Sequence, residues 1–365
     1  MGFLVRIGIE IKAFKNNTTG VSRYLREILD VLQKIDSTND YFLFECHCSD
    51  YPVINSHWKI VSTPWKLPGI LYQQFYLPFL LKKFDIDLLW SPEQICPVFY
   101  LRKIKVILTI HDLVPFHFHQ TSQWSVTLIH KMFGLASFKV AAILITVSNF
   151  IREDFLSVYG ALFPGKKIIA VSNGKPSWLL PSDYTPANRR PFLFFAGNSE
   201  PRKNLISLVR GLEILFDKGI IVPLHIAGPG GWKNREFIHY CQKSRVRNHI
   251  HHIGYCYDNM LIEQYLSCKA FIYPSLYEGF GLPVLEALCC DCLVLTSRGT
   301  VMQEIAGNCA LYFDPYDPKD IARIIESIFS EKFDRKKYLK NKNSVLQKYS
   351  WEKSAEGLLN VFENC

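Results

Sequence analysis

The chain of 365 residues has no apolar run long enough to cross a membrane as a helix. Its longest strongly apolar stretch without a charge, residues 67–81, is interrupted by Pro68, Gly69 and Pro78. It falls short of the roughly 20 residues that a spanning helix needs. The first residues pass directly into a strand-like alternation, without the apolar core and cleavage site of a secretion signal. We therefore expect a cytoplasmic protein.

Paired metal-binding motifs and phosphate loops are also missing. The eleven cysteines include Cys46-His47-Cys48 and Cys289-Cys290-Asp291-Cys292, which lack the spacing of zinc sites, and in a cytosol we expect reduced thiols. No Gly-Lys-Ser/Thr loop and no G-x-G-x-x-G motif opens a first helix, which argues against NTPases and dehydrogenases. Asp85-Ile86-Asp87 has the spacing of a D-x-D motif without a companion cluster, so no bound metal is expected.

The net charge is +9, and residues 1–175 carry more of it than residues 176–365. A basic N-terminal half suits an acidic partner such as a phosphorylated substrate or an anionic membrane, although surface charge for solubility explains it equally well. The basic segment 332–348 is most simply a solvated helix face, since no nucleic-acid-binding module accompanies it. We expect no nucleic-acid partner.

Two series of alternating strands and helices are predicted. The predicted strands are Val5–Glu10, Tyr41–Glu45, Lys59–Ser62, Asp87–Ser91, Lys105–His111, Ala142–Val147 and Ile168–Ser172, then Phe192–Ala196, Leu224–Ala227, His251–Gly254, Phe271–Tyr273, Leu293–Thr296 and Leu311–Phe313. Such alternation of apolar runs predicts parallel sheets covered on both faces. The prediction is an α/β protein with two Rossmann-like domains facing across a cleft, where ligands bind beyond the carboxyl ends of the strands.

Domain boundaries are predicted from a break in this alternation. Residues 176–190 contain three prolines and are predicted to be a linker. It would separate an N-terminal domain, residues 1–175, from a C-terminal domain, residues 191–349. Residues 350–365 begin with a good helix cap and are predicted to form a C-terminal helix that packs back on the N-terminal domain.

The stretch from Tyr273 to Leu288 carries two carboxylates, Glu278 and Glu286, around two glycines and a proline. It follows a predicted buried strand and leads into a helix with Pro283 as its first residue. Backbone N–H groups and the positive end of the helix dipole would then point at one spot, which favours an anion. For Glu286, a carboxylate that merely complements the dipole is the simpler alternative.

Three further candidate sites lie at strand ends. Gly20 follows the first strand, where backbone could approach a phosphate, unless it only belongs to a helix-start turn. His111, followed by Asp112, could contact substrate, move a proton or merely cap the sheet. Arg202 and Lys203 follow the first strand of the second domain and could neutralise a diphosphate, although a surface basic pair has the same pattern.

Together these motifs resemble the large retaining glycosyltransferase family 4, which has the two-domain GT-B fold. The resemblance covers most of the chain and is strongest in residues 191–315. Its segments there are GNSEPRKNL at 197–205, HIGY at 252–255 and YPSLYEGFGLPVLEAL at 273–288. The chain departs from the family at Asn198, where many members carry Arg, and at Cys289-Cys290-Asp291, where Ala-Cys-Gly is usual.

The resemblance implies four catalytic residues. Arg202 and Lys203 would hold the donor diphosphate and stabilise the leaving nucleotide. Glu278 would grip the donor sugar, and His111 would face that sugar from the other domain. Since paired cations can replace Mg²⁺ at the leaving group, no metal or other cofactor is expected.

The resemblance also implies a set of donor-binding residues. They are Gly20, Asn198, Tyr255, Gly279, Phe280, Gly281, Leu282 and Glu286. Among them, Glu286 would accept hydrogen bonds from the ribose hydroxyls and Tyr255 would border the base. Gly20 would lie near the phosphates and the acceptor.

The implied function is retaining transfer of a hexose from a nucleotide diphosphate sugar to a sugar hydroxyl of a growing, lipid-linked surface polysaccharide such as O-antigen, capsule or exopolysaccharide. Residues 200–204, Glu-Pro-Arg-Lys-Asn, resemble the mannosyltransferase branch, which makes GDP-mannose the expected donor. Three alternatives share the fold: a glycosyltransferase that uses a UDP-sugar, an epimerase or sugar phosphorylase, and a non-catalytic nucleotide-sugar-binding protein.

Residues 65–83 mix aromatic, aliphatic and cationic side chains, as an interfacial helix would. This pattern predicts peripheral contact with the inner face of the membrane. A core helix with a basic end is the alternative, and Pro78 argues against one long helix.

Overall fold

The computed structural model describes most of the chain. The described ranges are residues 4–15, 19–46, 49–63, 67–99, 103–117, 129–179, 189–231 and 234–365. Parts of four predicted features lie outside them: residues 16–18 of the loop before Gly20, residues 47–48 of the first cysteine cluster, residues 65–66, and residues 180–188 of the linker.

The chain divides into two compact units. The first contains the described residues up to 117, residues 129–174 and the C-terminal residues 350–365. The second contains the described residues from 175 to 349. Each unit has one parallel sheet of its own.

The first unit contains a seven-stranded sheet in the order β3-β2-β1-β4-β5-β6-β7. Its strands are β1 (Arg6–Glu10), β2 (Asp40–Glu45), β3 (Trp58–Ser62), β4 (Leu88–Ser91), β5 (Lys105–Ile110), β6 (Ile143–Thr146) and β7 (Lys167–Ala170). The strand order reverses between β1 and β4, where Ile7 pairs with Leu88 and Ile9 with Trp90. The loops that follow these two strands therefore diverge to opposite sides and leave a crevice at their carboxyl ends.

The second unit contains a six-stranded sheet in the order β10-β9-β8-β11-β12-β13. Its strands are β8 (Arg190–Ala196), β9 (Leu224–Ala227), β10 (Ile250–Gly254), β11 (Cys268–Tyr273), β12 (Val294–Ser297) and β13 (Ala310–Phe313). Here the order reverses between β8 and β11, with Phe194 opposite Phe271. All thirteen predicted strands are present, and the predicted α/β architecture with parallel sheets is confirmed.

Helices follow most strands. In the first unit the α-helices are Gly20–Ile35, Gly69–Leu71, Leu77–Lys83, Val114–His117, Leu135–Val140, Asn149–Tyr159 and Trp351–Glu363. In the second they are Leu205–Asp217, Asn234–Lys243, Asp258–Ser267, Leu282–Cys289, Val301–Ala306, Pro318–Ser327, Arg335–Leu339 and Lys342–Leu346. The predicted caps Ser148, Asp317 and Ser350 each accept a hydrogen bond from a first-turn N–H. No helix in the described ranges combines the length and apolar character needed to span a bilayer.

The residues around Pro78 do not form one long α-helix, in agreement with the interruption that this proline predicts. The helix Gly69–Leu71, a π-helical turn Tyr72–Tyr76 and the helix Leu77–Lys83 follow one another directly. The wide turn closes through the Leu77 N–H, which donates to the Tyr72 carbonyl. Pro78 then falls at the start of the next α-helical segment, where its missing N–H has no penalty.

The C-terminal helix Trp351–Glu363 belongs to the first unit and packs against the helix Gly20–Ile35. The Trp351 ring meets the Tyr24 ring at 6.0 Å between centroids. It also approaches Gly174 so closely that a Cβ there would come within 2.5 Å of it. The C-terminal segment therefore completes the core of the first unit, and this contact requires glycine at position 174.

Candidate functional site

Two loops of the second unit meet where the order of its sheet reverses. Arg202 and Lys203 lie in the short 3-10 turn Pro201–Lys203 after β8, and Glu278 lies in the loop after β11. The Leu276 N–H donates to the Arg202 carbonyl at 2.8 Å and joins the two loops. Because β8 and β11 are neighbours, residues 75 positions apart in sequence come into contact.

The Glu278 carboxylate is the centre of a charged cluster. Its Oε1 accepts hydrogen bonds from Lys203 Nζ and Ser275 Oγ, both at 2.5 Å. Its Oε2 lies 2.8 Å from the Arg202 guanidinium. Lys203 Nζ also donates to the Tyr273 hydroxyl at 2.5 Å and lies 4.8 Å from the centre of that ring. Two cations therefore converge on one carboxylate at the carboxyl ends of the strands.

The electrostatics of this cluster follow from its burial. Burial alone would raise the pKa of Glu278, but Arg202 and Lys203 outweigh it and hold that pKa at about 2. Burial lowers the pKa of Lys203, despite the neighbouring carboxylate. The charged form is favoured at Glu278 because this carboxylate faces two cations. It is disfavoured at Lys203 because burial and the like charge of Arg202 outweigh the attraction of Glu278. Glu278 is therefore ionised throughout the physiological pH range.

The turn after Glu278 is shaped by glycine. Gly281 has a φ of +115° and precedes the helix Leu282–Cys289, so a side chain at this position would be strained. Leu282 is the first helical residue and Pro283 the second, so the helix begins one residue earlier than predicted. Phe280 is buried and meets the Tyr349 ring edge-on at 5.6 Å.

Glu286 lies within this helix and is buried. Its Oε2 accepts a hydrogen bond from the Tyr265 hydroxyl at 2.8 Å. Burial, followed by the charge of Glu286, raises the pKa of Tyr265 well above its usual range, so the tyrosine remains a donor. Glu286, the residue expected to bind the ribose, is therefore held in place by a tyrosine from a different helix.

The other predicted donor-binding residues of this unit lie at its surface or near it. Asn198 is exposed directly after β8, and Gly279 is half-buried beside Glu278. Tyr255 is exposed after β10 and forms an edge-on contact with the Tyr257 ring at 5.4 Å. A cavity of about 720 Å³ opens near the ends of β8, β9 and β10, with Ser199, Gly228 and Gly254 among its lining residues.

His111 and Gly20, the two remaining candidates, lie in the first unit. His111 Nε2 is 2.7 Å from the Pro92 carbonyl, which requires a proton on this nitrogen. Burial lowers the pKa of His111, so its ring is neutral near pH 7. Gly20 begins the helix capped by Thr19, and a Cβ on it would meet nothing within 4 Å inside this unit. Packing within the unit therefore does not explain glycine at position 20.

The sequence interpretation missed several residues that hold these side chains. Tyr273 and Ser275 both hydrogen-bond Glu278, and their position at the end of β11 was a signal that could have identified them. Tyr265 had no such signal, since its contact with Glu286 joins two separate helices. Asp87 accepts a hydrogen bond from the Arg6 N–H at 2.9 Å, which is a structural use of the D-x-D segment.

Similarity to known proteins extends over most of the chain. The profile described as Glycosyltransferase Family 4 matches residues 18–175, and that described as Glycosyl transferases group 1 matches residues 178–345. The O-antigen chain mannosyltransferase B of Escherichia coli is 27% identical over 287 residues, which are 73% of each chain. The O-antigen chain mannosyltransferase RfbU of Salmonella typhimurium is 25% identical over 334 residues, covering 88% of this chain and 90% of that protein. The solved structure of a sucrose-phosphate synthase from Thermosynechococcus elongatus has a TM-score of 0.76 at 16% identity, covering 99% of this chain and 98% of that one.

Proposed function

The chain belongs to the glycosyltransferases of the GT-B fold, and we propose that it transfers mannose from GDP-mannose to a sugar hydroxyl during assembly of a surface polysaccharide. The observation that carries the proposal is the pair of cations, Arg202 and Lys203, around Glu278 at the reversal point of the second sheet. The similarity to two O-antigen mannosyltransferases supports mannose as the transferred sugar.

Arg202 and Lys203 act on the leaving group in this proposal. The bond between the sugar C1 and the phosphate oxygen breaks, and the nucleotide diphosphate leaves with the electron pair. Two cations fixed at that position stabilise the negative charge as it develops, and they replace a metal ion in this role. Retention follows from attack of the acceptor oxygen on the same face, with its proton passing to the departing phosphate.

Glu278 and Glu286 bind the neutral parts of the donor. Glu278 is ionised and can accept hydrogen bonds from sugar hydroxyls, with its position fixed by Ser275 and Tyr273. Glu286 is oriented by Tyr265 and accepts hydrogen bonds from the ribose. When a donor diphosphate binds, Arg202 and Lys203 must share their charge between Glu278 and the phosphates. The ion pairs that they make with Glu278 in the absence of donor therefore rearrange.

Lys203→Ala is the direct test of this function. We expect wild-type protein to transfer mannose from GDP-mannose to a mannose-containing oligosaccharide and the variant to lose roughly 10²–10³ in kcat, because it lacks one charge at the leaving group. Lys218→Ala, which removes an exposed lysine paired with Glu326 in the same unit, is the matched control. Equal turnover in Lys203→Ala and Lys218→Ala would contradict the assignment.

Nucleotide identity and catalysis are tested separately. A thermal-shift panel of GDP, UDP and ADP should show the largest stabilisation with GDP, because a ligand of the folded state raises its stability. A larger shift with UDP would favour a UDP-sugar donor instead. Nucleotide binding without turnover would favour a non-catalytic binding protein, and product analysis without acceptor distinguishes an epimerase.

Metal independence is part of the proposal. Transfer should continue in the presence of a chelator, since Arg202 and Lys203 supply the positive charge at the diphosphate. Strict dependence of transfer on added Mg²⁺ or Mn²⁺ would contradict this step.

Contact with the inner face of the membrane is proposed for the segment Gly69–Lys83. Leu71, Phe75 and Phe79 are exposed at intervals of four residues, and Lys82 and Lys83 follow. The opposite side of this segment is buried, so it packs in the core and exposes an apolar side at once. Such a combination favours binding to the surface of a membrane, where a lipid-linked acceptor would be located.

Vesicle sedimentation tests this contact. We expect the wild-type protein to bind vesicles that contain phosphatidylglycerol and the double variant Phe75→Ser/Phe79→Ser to remain in solution. Ile54→Ser, at another exposed apolar residue of the first unit, is the control. Equal sedimentation of all three proteins would exclude this segment as the contact.

A further inference from the structure

Two buried thiols lie side by side at the edge of the second sheet opposite the charged cluster. Cys268 is the first residue of β11, and Cys292 lies just before β12, which begins at Val294. Their Sγ atoms are 3.2 Å apart, and both side chains are fully buried as free thiols. A disulfide holds its sulfurs at about 2.05 Å, so this pair is roughly 1 Å from bonding distance.

Arg189 fixes the two chain segments that carry these thiols. Its guanidinium donates four hydrogen bonds of 2.8–3.0 Å to backbone carbonyls, those of Tyr265 and Cys268 on one segment and those of Cys290 and Asp291 on the other. Hydrogen bonds from a charged donor are stronger than neutral ones. The approach of the two sulfurs is therefore maintained by the backbone around them, and not only by their own contact.

The two thiols differ in how readily they lose a proton. Burial alone would raise the pKa of Cys292, but the hydrogen bond from Cys268 and the charges of Arg189 and Arg335 outweigh it and lower that pKa. Burial and the neighbouring Cys292 raise the pKa of Cys268 well above its usual range. Since the thiolate is the form that reacts with oxidants, Cys292 is the attacking sulfur and Cys268 the resolving one.

The pair is joined to the two helices that carry Tyr265 and Glu286. The first of these helices ends at Cys268, whose Sγ lies 3.6 Å from the Tyr265 carbonyl. The Cys292 N–H donates at 2.8 Å to the carbonyl of Ala287, which lies next to Glu286 in the second helix. Bonding of the sulfurs requires a movement of about 1 Å at the ends of these helices. The Tyr265–Glu286 hydrogen bond, which joins the helices, would be strained by that movement.

We propose that Cys268 and Cys292 form a reversible disulfide when hydrogen peroxide reaches them, and that this bond weakens nucleotide binding at Glu286. Formation of the disulfide is independent of the function proposed above. Only its effect on nucleotide binding rests on that function.

The chemistry takes two steps. The Cys292 thiolate attacks one peroxide oxygen, the O–O bond breaks, and the other oxygen leaves as hydroxide, which takes up a proton to form water. Cys268 Sγ then attacks the sulfur of the Cys292 sulfenic acid, the S–O bond breaks, and the hydroxide leaves as water with the Cys268 proton. The two thiols lose two electrons, and one peroxide is reduced to two waters. Because both sulfurs are buried, peroxide reaches them by local opening beside the partly exposed Arg189 and Arg335.

Peptide mapping of the full-length protein tests the disulfide. Freshly reduced protein is treated with a small excess of hydrogen peroxide, its remaining thiols are alkylated, and its peptides are sequenced by mass spectrometry. We expect a crosslink between Cys268 and Cys292 that dithiothreitol reverses. Sulfinic or sulfonic acids at these positions, which thiols do not reduce, would contradict a reversible disulfide.

A matched pair of variants tests which thiols react. Cys268→Ala removes the resolving sulfur and should give no crosslink to Cys292. Cys290→Ala removes another buried thiol of the same cluster and should form the crosslink as the wild-type protein does. Melting temperatures of the reduced variants show that both are folded.

Calorimetric titration with GDP tests the effect on binding. Peroxide-treated wild-type protein should bind GDP about 5–10-fold more weakly than reduced protein, the same loss that removal of the Tyr265 hydroxyl is expected to cause. Dithiothreitol should restore the affinity. Peroxide should leave the GDP affinity of Cys268→Ala unchanged and should weaken that of Cys290→Ala as in wild-type protein.

The results separate this inference from the proposed function. Absence of the crosslink, a crosslink to Cys289 or Cys290 in place of Cys292, or full GDP affinity in crosslinked protein would each overturn the inference, while GDP binding by reduced protein would leave the proposed function standing. Failure of reduced protein to bind GDP, UDP or ADP would refute the proposed function and the control of binding together. Peptide mapping would still decide whether the disulfide forms.

Discussion

Glu278→Gln perturbs the charged cluster with little change in side-chain size. It removes the carboxylate that lies 2.5 Å from Lys203 Nζ and 2.8 Å from Arg202. Lys203 is only 6% exposed, so its ammonium would be left buried next to a like charge. Removing one partner of a buried ion pair costs about 3–5 kcal/mol, which should lower the melting temperature of the second unit by roughly 6–20 °C at pH 7.

The pH dependence of this effect follows from the pKa of Glu278. That pKa is about 2 in the folded protein, below the usual value of 4.5. A carboxyl group with a lowered pKa stabilises the fold above its unfolded pKa, and this contribution is lost as the pH falls through the folded pKa. The difference corresponds to about 3 kcal/mol, lost at about 1.4 kcal/mol per pH unit between pH 4.5 and pH 2. Glutamine does not titrate, so the variant lacks this dependence.

Differential scanning calorimetry between pH 7 and pH 3.5 measures the gap in stability between the two proteins. The gap should be largest at pH 7 and smaller by about 1.4 kcal/mol at pH 3.5. Glu331→Gln changes an exposed carboxylate of the same unit and should follow wild-type protein within about 0.5 kcal/mol at pH 7. A gap that is absent at pH 7, or that stays constant down to pH 3.5, would refute the reasoning.

Three further substitutions test the supports of the two units. Tyr265→Phe removes the hydroxyl that donates to Glu286, so nucleotide affinity should fall about 5–10-fold by calorimetric titration. Gly281→Ala places a side chain at a φ of +115°, which should destabilise the second unit by roughly 1–3 kcal/mol in thermal unfolding. Trp351→Ala removes the indole that packs against Tyr24, which should destabilise the first unit by about 3–5 kcal/mol while nucleotide affinity stays at the wild-type value.

Each of these results has a control or an outcome that contradicts it. Tyr312→Phe removes a hydroxyl of the same unit that donates to the Gly307 carbonyl at 2.5 Å, and it should leave nucleotide affinity unchanged. If Tyr265→Phe behaves like Tyr312→Phe, Glu286 does not need its tyrosine for binding. An unchanged melting temperature in Gly281→Ala would show that the turn tolerates a side chain. An unchanged melting temperature in Trp351→Ala would show that the C-terminal helix adds little to the stability of the first unit.

The sequence by itself determined the local elements of this protein. The central strands of a parallel sheet are buried on both faces and appear as continuous apolar runs, and all thirteen predicted strands are present. Ser148, Asp317 and Ser350 were predictable as helix caps because their hydrogen bonds reach only two or three residues along the chain. The resemblance to a family of glycosyltransferases also depended on short continuous motifs.

Only the tertiary structure decided which of these elements meet. Lys203 contacts Glu278 because β8 and β11 are neighbours, and strand order depends on packing between distant segments, which no local pattern encodes. For the same reason Lys12 and Glu93 lie beside each other at the junction of β1 and β4, in a cavity that the predicted residues His111 and Asp112 also line. The contact between Tyr265 and Glu286 likewise depends on how two helices pack against one sheet. The spacing of residues therefore identified the charged groups, and the order of the strands determined their partners.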